Sequence, residues 1–194
     1  MPHVTFYFDL GSPCAYLAAE RLGTVVPEPV EWQPILLGGL FKATGRSSWA
    51  LGDYRRRQVG MAEIERRARD YGLAPMCWPD PWPTNYMTAM LATTFAFSAG
   101  RGREFTLQAF RSAFQEGSEL SIPEHVFDVG TQVGLDRGEL KAATQGPEIK
   151  RVLRRATDAA HELGVIGVPT IAVDDELFWG DDRLEDAAAH LKGL

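Results

Sequence analysis

Cysteine is scarce in this chain: Cys14 and Cys77 are the only two in 194 residues, and no Cys-x-x-Cys occurs. That excludes a disulfide framework. The four histidines, His3, His125, His161 and His190, show no zinc-site spacing, so no metal is expected. No apolar run reaches the roughly 18 residues that a membrane span needs. Positive charge is in deficit, with 20 Lys and Arg against 26 Asp and Glu and a formal net charge of -6. A chain this acidic has no global electrostatic reason to seek nucleic acid or an anionic membrane. The one Arg-rich stretch, Arg55 to Arg69, is diluted by Asp53, Glu63, Glu65 and Asp70 and reads as a solvated helix face. Met1-Pro2-His3 lacks the basic region and apolar stretch of a signal peptide, so a cytoplasmic protein is the expectation.

What is present is an ordinary globular composition, 45% hydrophobic and 24% charged, enough for one domain or one domain with a large insertion. Val4 to Phe8 is β-branched and aromatic, as a strand should be. Ser12 then Pro13 is a helix start, with Ser12 as N-cap and a helix running to about Val25. Pro27-Glu28-Pro29 reads as its stop, and Val30 to Ile35 as a second strand. Strand, helix, strand in this space predicts a parallel βαβ unit. The middle is helical. Stripes run through Met61, Ile64, Ala68 and Tyr71, with Gly72 as cap, through Met87, Met90, Leu91 and Phe95, and through Leu107, Phe110 and Phe114. Ser121 to Glu124 reads as a capping box opening a further helix. Pro147 opens another, with Ile149, Val152, Leu153, Ala156, Ala160 and Leu163 on one face and Gly164 closing it. Val165 to Val173 reads as a strand, Leu177 to Trp179 as its hairpin partner, and Asp182 with Glu185 as the capping box of a last helix. The expectation is an α/β sheet domain over 1–38 and 165–194, with an all-helical domain, 39–164, inserted in it.

Three segments carry groups suited to chemistry. Ser12, Pro13 and Cys14 stand where a strand meets a helix N-terminus, whose unpaired N–H groups and partial positive charge favour a thiolate. The same residues also serve as a plain helix cap. Pro169 at a strand entry is either an ordinary first residue or a cis peptide that presents the backbone of Val168 to an extended ligand. Trp179-Gly180-Asp181-Asp182-Arg183 places two carboxylates at a helix start, where they cap it or leave one to grip an ammonium group.

Together these segments resemble a known family. Phe6 to Ala18, Leu37 to Gly45, Gly167 to Thr170 and Phe178 to Leu184 are similar, in order and at family spacing, to the 2-hydroxychromene-2-carboxylate isomerases and kappa-class glutathione transferases. These form a branch of the DsbA-like thioredoxin fold. The resemblance implies a βαβ…ββα thioredoxin-like domain with a helical insertion, glutathione as cofactor and a homodimer. It implies that Ser12, in place of a redox cysteine, is the catalytic residue at the glutathione sulfur. It places Val168 beside a cis Pro169 against the cysteinyl unit, and Trp179, Gly180, Asp181 and Asp182 at the γ-glutamyl end. Lys42 and Trp82 match the family's contacts to the second substrate, a small aromatic or unsaturated carboxylate.

The chain also departs from that pattern. Ala15 occupies the second cysteine position, so Ser12-Pro13-Cys14-Ala15 cannot form the intra-motif disulfide of a two-cysteine oxidoreductase. Cys14 is one place off. Trp49-Ala50-Leu51 stands where the family has an Asn-Arg pair. The function implied is a glutathione-dependent isomerase working by thiolate addition, ring opening, bond rotation and elimination. The competing expectations are a kappa-like transferase or peroxidase, a thiol oxidoreductase using Cys14, and a non-enzymatic binding protein.

Overall fold

The computed structural model describes residues 2–26 and 29–193. The N-terminal βαβ unit is β1 (Val4–Phe8), α1 (Pro13–Val25) and β2 (Glu31–Pro34), with β2 parallel to β1. β3 (Thr170–Val173) lies antiparallel on the other side of β1, and β4 (Glu176–Trp179) closes the hairpin, giving the sheet order β2-β1-β3-β4. Of the stop read at Pro27-Glu28-Pro29, residues 27 and 28 lie outside the described residues.

Alternation along β1 builds the two layers. Val4, Phe6 and Phe8 enter the large core, where Phe6 stacks on Phe8 and Phe8 meets Phe110 from the helical layer. Tyr7 faces the opposite side, with a smaller cluster of Ile35, Leu40, Ala160, Val165 and Val168. Between β2 and β3 come α2 (Leu37–Thr44), a 3-10 turn (Trp49–Leu51), α3 (Tyr54–Asp70), α4 (Met87–Ser98), α5 (Gly102–Phe114), α6 (Pro123–Gln132), α7 (Arg137–Gln145) and α8 (Pro147–Glu162). A second 3-10 turn (Asp181–Arg183) and α9 (Leu184–Gly193) follow β4.

α4 is the hub of the helices. It packs against α5, α6, α7 and α8, and Ala89 to Thr94 are buried in an unbroken run. Thr93 and Thr94 satisfy their buried hydroxyls by donating to the carbonyls of Ala89 and Met90.

Several expectations need correction. The strand read over 165–173 begins only at Thr170, because Pro169 brings no N–H to a ladder. Ser121 is not a cap: Ile122 takes that place and Pro123 starts α6 with no side-chain cap bond. Asp182 and Glu185 make no capping box, since a 3-10 turn intervenes and Arg183 pairs with Asp186 instead. On α8 the buried face is Leu153, Thr157 and Ala160, whereas Val152 and Leu163 are exposed. The arginines of α3 do not all form a solvated face. Arg57 donates to the carbonyl of Ala50, and Arg67 is drawn into the interior.

Candidate active site

A cavity of about 800 Å³ opens where the end of β1, the start of α1, the entry to β3 and the segment after β4 converge. The rest of its lining comes chiefly from 36–51 and 82–87, with Tyr86 set against Gly11. Ser12 caps α1, its Oγ accepting from the Ala15 N–H at 3.2 Å. The same Oγ lies 3.4 Å from the Val168 carbonyl, to which it donates. Pro13 has no N–H, and the Cys14 amide, next in the first turn, has no intrahelical partner. The serine hydroxyl and the positive helix end therefore meet at one buried point on the cavity wall.

Across from it, the Val168–Pro169 peptide bond is cis, as are those before Pro81 and Pro83. Val168 stands ahead of the β3 ladder, and its N–H has no protein partner among the described residues. Beyond it, the Trp179 ring lies against Gly167, where a Cβ would come within 2.6 Å of Trp179 Nε1. Gly180 adopts φ 125, a conformation open to glycine, and passes the chain into the Asp181–Arg183 turn. Arg46 sits over the exposed Trp179 ring, 4.9 Å from its centre.

The two adjacent carboxylates have different fates. Asp181 is fully buried. Its Oδ1 accepts from Arg67 Nη1 at 2.7 Å, its Oδ2 from the Tyr71 hydroxyl at 3.1 Å, and its carbonyl from Arg21 Nη1 at 3.0 Å. Asp182 is exposed on the cavity wall, with no ion-pair partner among the described residues. Both Asp181 oxygens are thus occupied by the protein, and Asp182 is the carboxylate open to a ligand. Burial and the nearby Asp181 charge push the Cys14 thiol up to about 12, and burial also raises Tyr71 to about 12. Cys14 therefore remains a neutral thiol beside Ser12.

Asp9 lies at the base of the cavity, and sequence reasoning missed it. Its two oxygens accept from the Gly11 and Leu37 N–H groups, each at 2.8 Å. Burial nevertheless raises its pKa. The signal was available: Asp9 three residues before a helix cap is a turn-forming aspartate. Of the expected substrate contacts, Trp82 is buried on the cavity wall with its ring 5.6 Å from that of Trp49. Lys42 is exposed on α2 and lies outside the cavity lining, where Phe41 stands instead. Arg46 and Arg56 bring the cations to this wall, and neither was singled out from the sequence as a ligand contact. Among the described residues no group of three or more His, Cys, Asp or Glu could hold a metal, and no helix is long and apolar enough to cross a membrane.

A four-stranded mixed sheet, a cis-proline facing a helix N-terminus and helices between β2 and β3 define a thioredoxin-like fold, here with Ser12 at the head of α1. The chain belongs to the DSBA-like thioredoxin domain family, which it matches over residues 3–192. It is 28% identical over 196 residues to a 2-hydroxychromene-2-carboxylate isomerase of Sphingobium xenophagum, covering 97% of each chain. It is 23% identical over 199 residues to glutathione S-transferase kappa 1 of Caenorhabditis elegans, covering 94% of this chain and 88% of that one. A solved 2-hydroxychromene-2-carboxylate isomerase superposes with a TM-score of 0.86 at 24% identity, covering 98% of this chain and 94% of the other.

Proposed function

We propose that this chain is a glutathione-dependent isomerase acting on 2-hydroxychromene-2-carboxylate or a closely related unsaturated aromatic carboxylate. Its isomerase relatives match along the whole chain, and the cavity has the donors that a tripeptide thiol needs. The observation that carries this is the pairing of Ser12 Oγ, at the head of α1, with Val168, whose N–H has no partner among the described residues. An extended cysteinyl unit lying along Val168 would form the backbone pair of an added strand and set its sulfur at Ser12. Asp182, beside Gly180 and Trp179, would hold the γ-glutamyl ammonium, while Asp181 holds the wall in place through Arg67.

When bound, glutathione would supply a thiolate for reversible addition to the substrate's double bond; with the hemiketal ring opened, that bond is single and free to rotate until elimination of the thiolate restores it. With the cysteinyl N–H taking over the Val168 carbonyl, the one Ser12 hydroxyl hydrogen would turn from that carbonyl to the sulfur and lower the energy of its charged form, and the α1 N-terminus adds its partial charge. Trp49 and Trp82 offer an aromatic wall for a planar substrate. Cys14 takes no part, because its thiol is held neutral. The same site fits a kappa-like transferase, a reading favoured by the Caenorhabditis elegans relative. Cytoplasmic location and a homodimer belong to this proposal as well.

The experiment is Ser12→Ala. Thiolate absorbance should show the pKa of bound glutathione rising, with turnover of the chromene falling about a hundredfold, as for loss of one stabilising donor. Glutathione affinity should change much less. Unchanged pKa and turnover would remove Ser12 from the reaction. Conjugation of a chlorinated aromatic, without activity on the chromene, would move the chain to the transferase reading.

A further inference from the structure

The cavity lining holds a cation that makes no ion pair among the described residues. Arg56 lines the cavity, and its guanidinium has no carboxylate partner among the described residues. The cavity's acids cannot serve it. Both oxygens of Asp9 are bonded to backbone N–H groups, and Asp181 is paired with Arg67. Asp182 stands on the side of Gly180 and Trp179. Arg56 lies in the first turn of α3, next to Arg55 and before Arg57, and is exposed to solvent. Asp53 caps this helix, its Oδ1 accepting from the Arg56 N–H at 2.9 Å, so the carboxylate at the helix start is bonded to backbone and its side chain makes no ion pair with the Arg56 guanidinium. Arg57 is used elsewhere, reaching the carbonyl of Ala50 at 2.8 Å and so bracing the uncharged Trp49–Leu51 turn on α3. Arg46, the other cation on this wall, is engaged over the Trp179 ring. A guanidinium on a cavity wall with no ion pair of its own is available to an entering anion, and the Trp49 and Trp82 rings, which line the same cavity, offer a face for a planar group that carries it.

We infer that Arg56 binds the carboxylate of the second substrate and sets the specificity of the cavity for planar aromatic anions. The role expected for Lys42 thereby passes to the first turn of α3. This rests on the proposed function for the substrate's identity but not for the anion site itself. A carboxylate could also come from glutathione, and the test separates the two.

Calorimetric titrations would use chromone-2-carboxylate, its methyl ester and reduced glutathione, each against the wild type, Arg56→Gln, Arg56→Lys and Lys42→Gln. The acid should bind the wild type about tenfold or more tightly than the ester, and Arg56→Gln should bring the acid down to the ester's level. Arg56→Lys should keep part of the preference, and Lys42→Gln all of it. Glutathione affinity should not move in any variant, and all should share one melting temperature. If Arg56→Gln binds the acid like the wild type, or loses glutathione instead, the inference is overturned. If the anion preference depends on Arg56 but no isomerisation occurs, the proposed function fails while this site stands. If isomerisation proceeds with an unchanged KM in Arg56→Gln, the function stands and the site fails.

Discussion

Arg67, near the C-terminus of α3, places its Nη1 2.7 Å from Oδ1 of Asp181, in the turn after β4. This ion pair joins the inserted helices to the wall on which the γ-glutamyl end of glutathione is proposed to rest. Asp181 is nearly out of reach of water, with a side chain 1% exposed. Deleting its partner leaves a buried charge unanswered, which costs about 3–5 kcal/mol where such pairs have been broken. Arg67→Met should therefore lower the denaturation midpoint strongly. The double variant Arg67→Met with Asp181→Leu should recover much of that loss. A double variant as unstable as the single would assign the loss to the packing of Arg67 instead.

Cys14 and Cys77 should react very differently. Cys77 is exposed, while the Cys14 thiol is pushed up to about 12. At pH 8, iodoacetamide followed by peptide mass mapping should label Cys77 at least about tenfold faster, since the thiolate is the nucleophile. Insulin reduction should be absent, and Cys14→Ser should keep isomerase turnover. Preferential labelling of Cys14 would contradict the neutral thiol.

Asp9 gives stability a pH slope of definite sign. Its folded pKa is raised by burial, so the folded state holds the proton more tightly than the unfolded chain does. The stabilising contribution is complete below the unfolded value of about 3.9 and is lost as pH rises through the folded value. Denaturation curves between pH 4 and pH 8 should show this component, and Asp9→Asn should remove it. Asn also turns an amide N–H2 toward one of the two N–H donors, so its stability should be lower at the acid end. An unchanged slope would show that another group titrates.

Gly167→Ala tests the seat of Trp179. The new Cβ would lie 2.6 Å from Trp179 Nε1, so the indole must move off this wall. Glutathione should bind about tenfold more weakly, a loss near 1.4 kcal/mol. The melting temperature should change little, because the ring is already half exposed. Unchanged affinity would mean that Trp179 does not contact the tripeptide.

The sequence made plain those features whose causes are local. Ser12-Pro13 capped α1, the β-branched run made β1, and the short spacing to β2 required a parallel pair. α2 stayed hidden because its sequence, with Gly38 and Gly39, is a poor helix former. Its start is satisfied from afar, with Leu36 N–H held by Thr157 Oγ1 and Leu37 N–H by Asp9 Oδ2. α7 could have been read: Asp136 accepts from the Glu139 N–H at 2.8 Å, an Asp-x-x-Glu helix start in plain view. At the site, Ser12, Val168 and the 179–182 segment carry recognisable neighbours. The fate of Asp181 does not, because its partner Arg67 is remote in sequence and no periodicity joins them. Arg56 was masked in the same way, as one arginine in a run of three whose side chains go to different places.

The unbroken burial of α4 from Ala89 to Thr94 has a consequence for how this protein can change. A helix with packed surroundings on every side accepts few new side chains, so the elements around it keep their spacing. Trp82 to Met87 lead into α4 and are held by that fixed post, whereas the Trp49–Leu51 turn is braced on α3; both stretches line the cavity. Tyr86 is packed against Gly11, beside Ser12, so change over 82–87 reaches the Ser12 end, while the Arg46 to Leu51 stretch is free of that contact. Diversification of this chain toward new unsaturated acids, in nature or in the laboratory, is therefore a matter of editing the Arg46 to Leu51 stretch first.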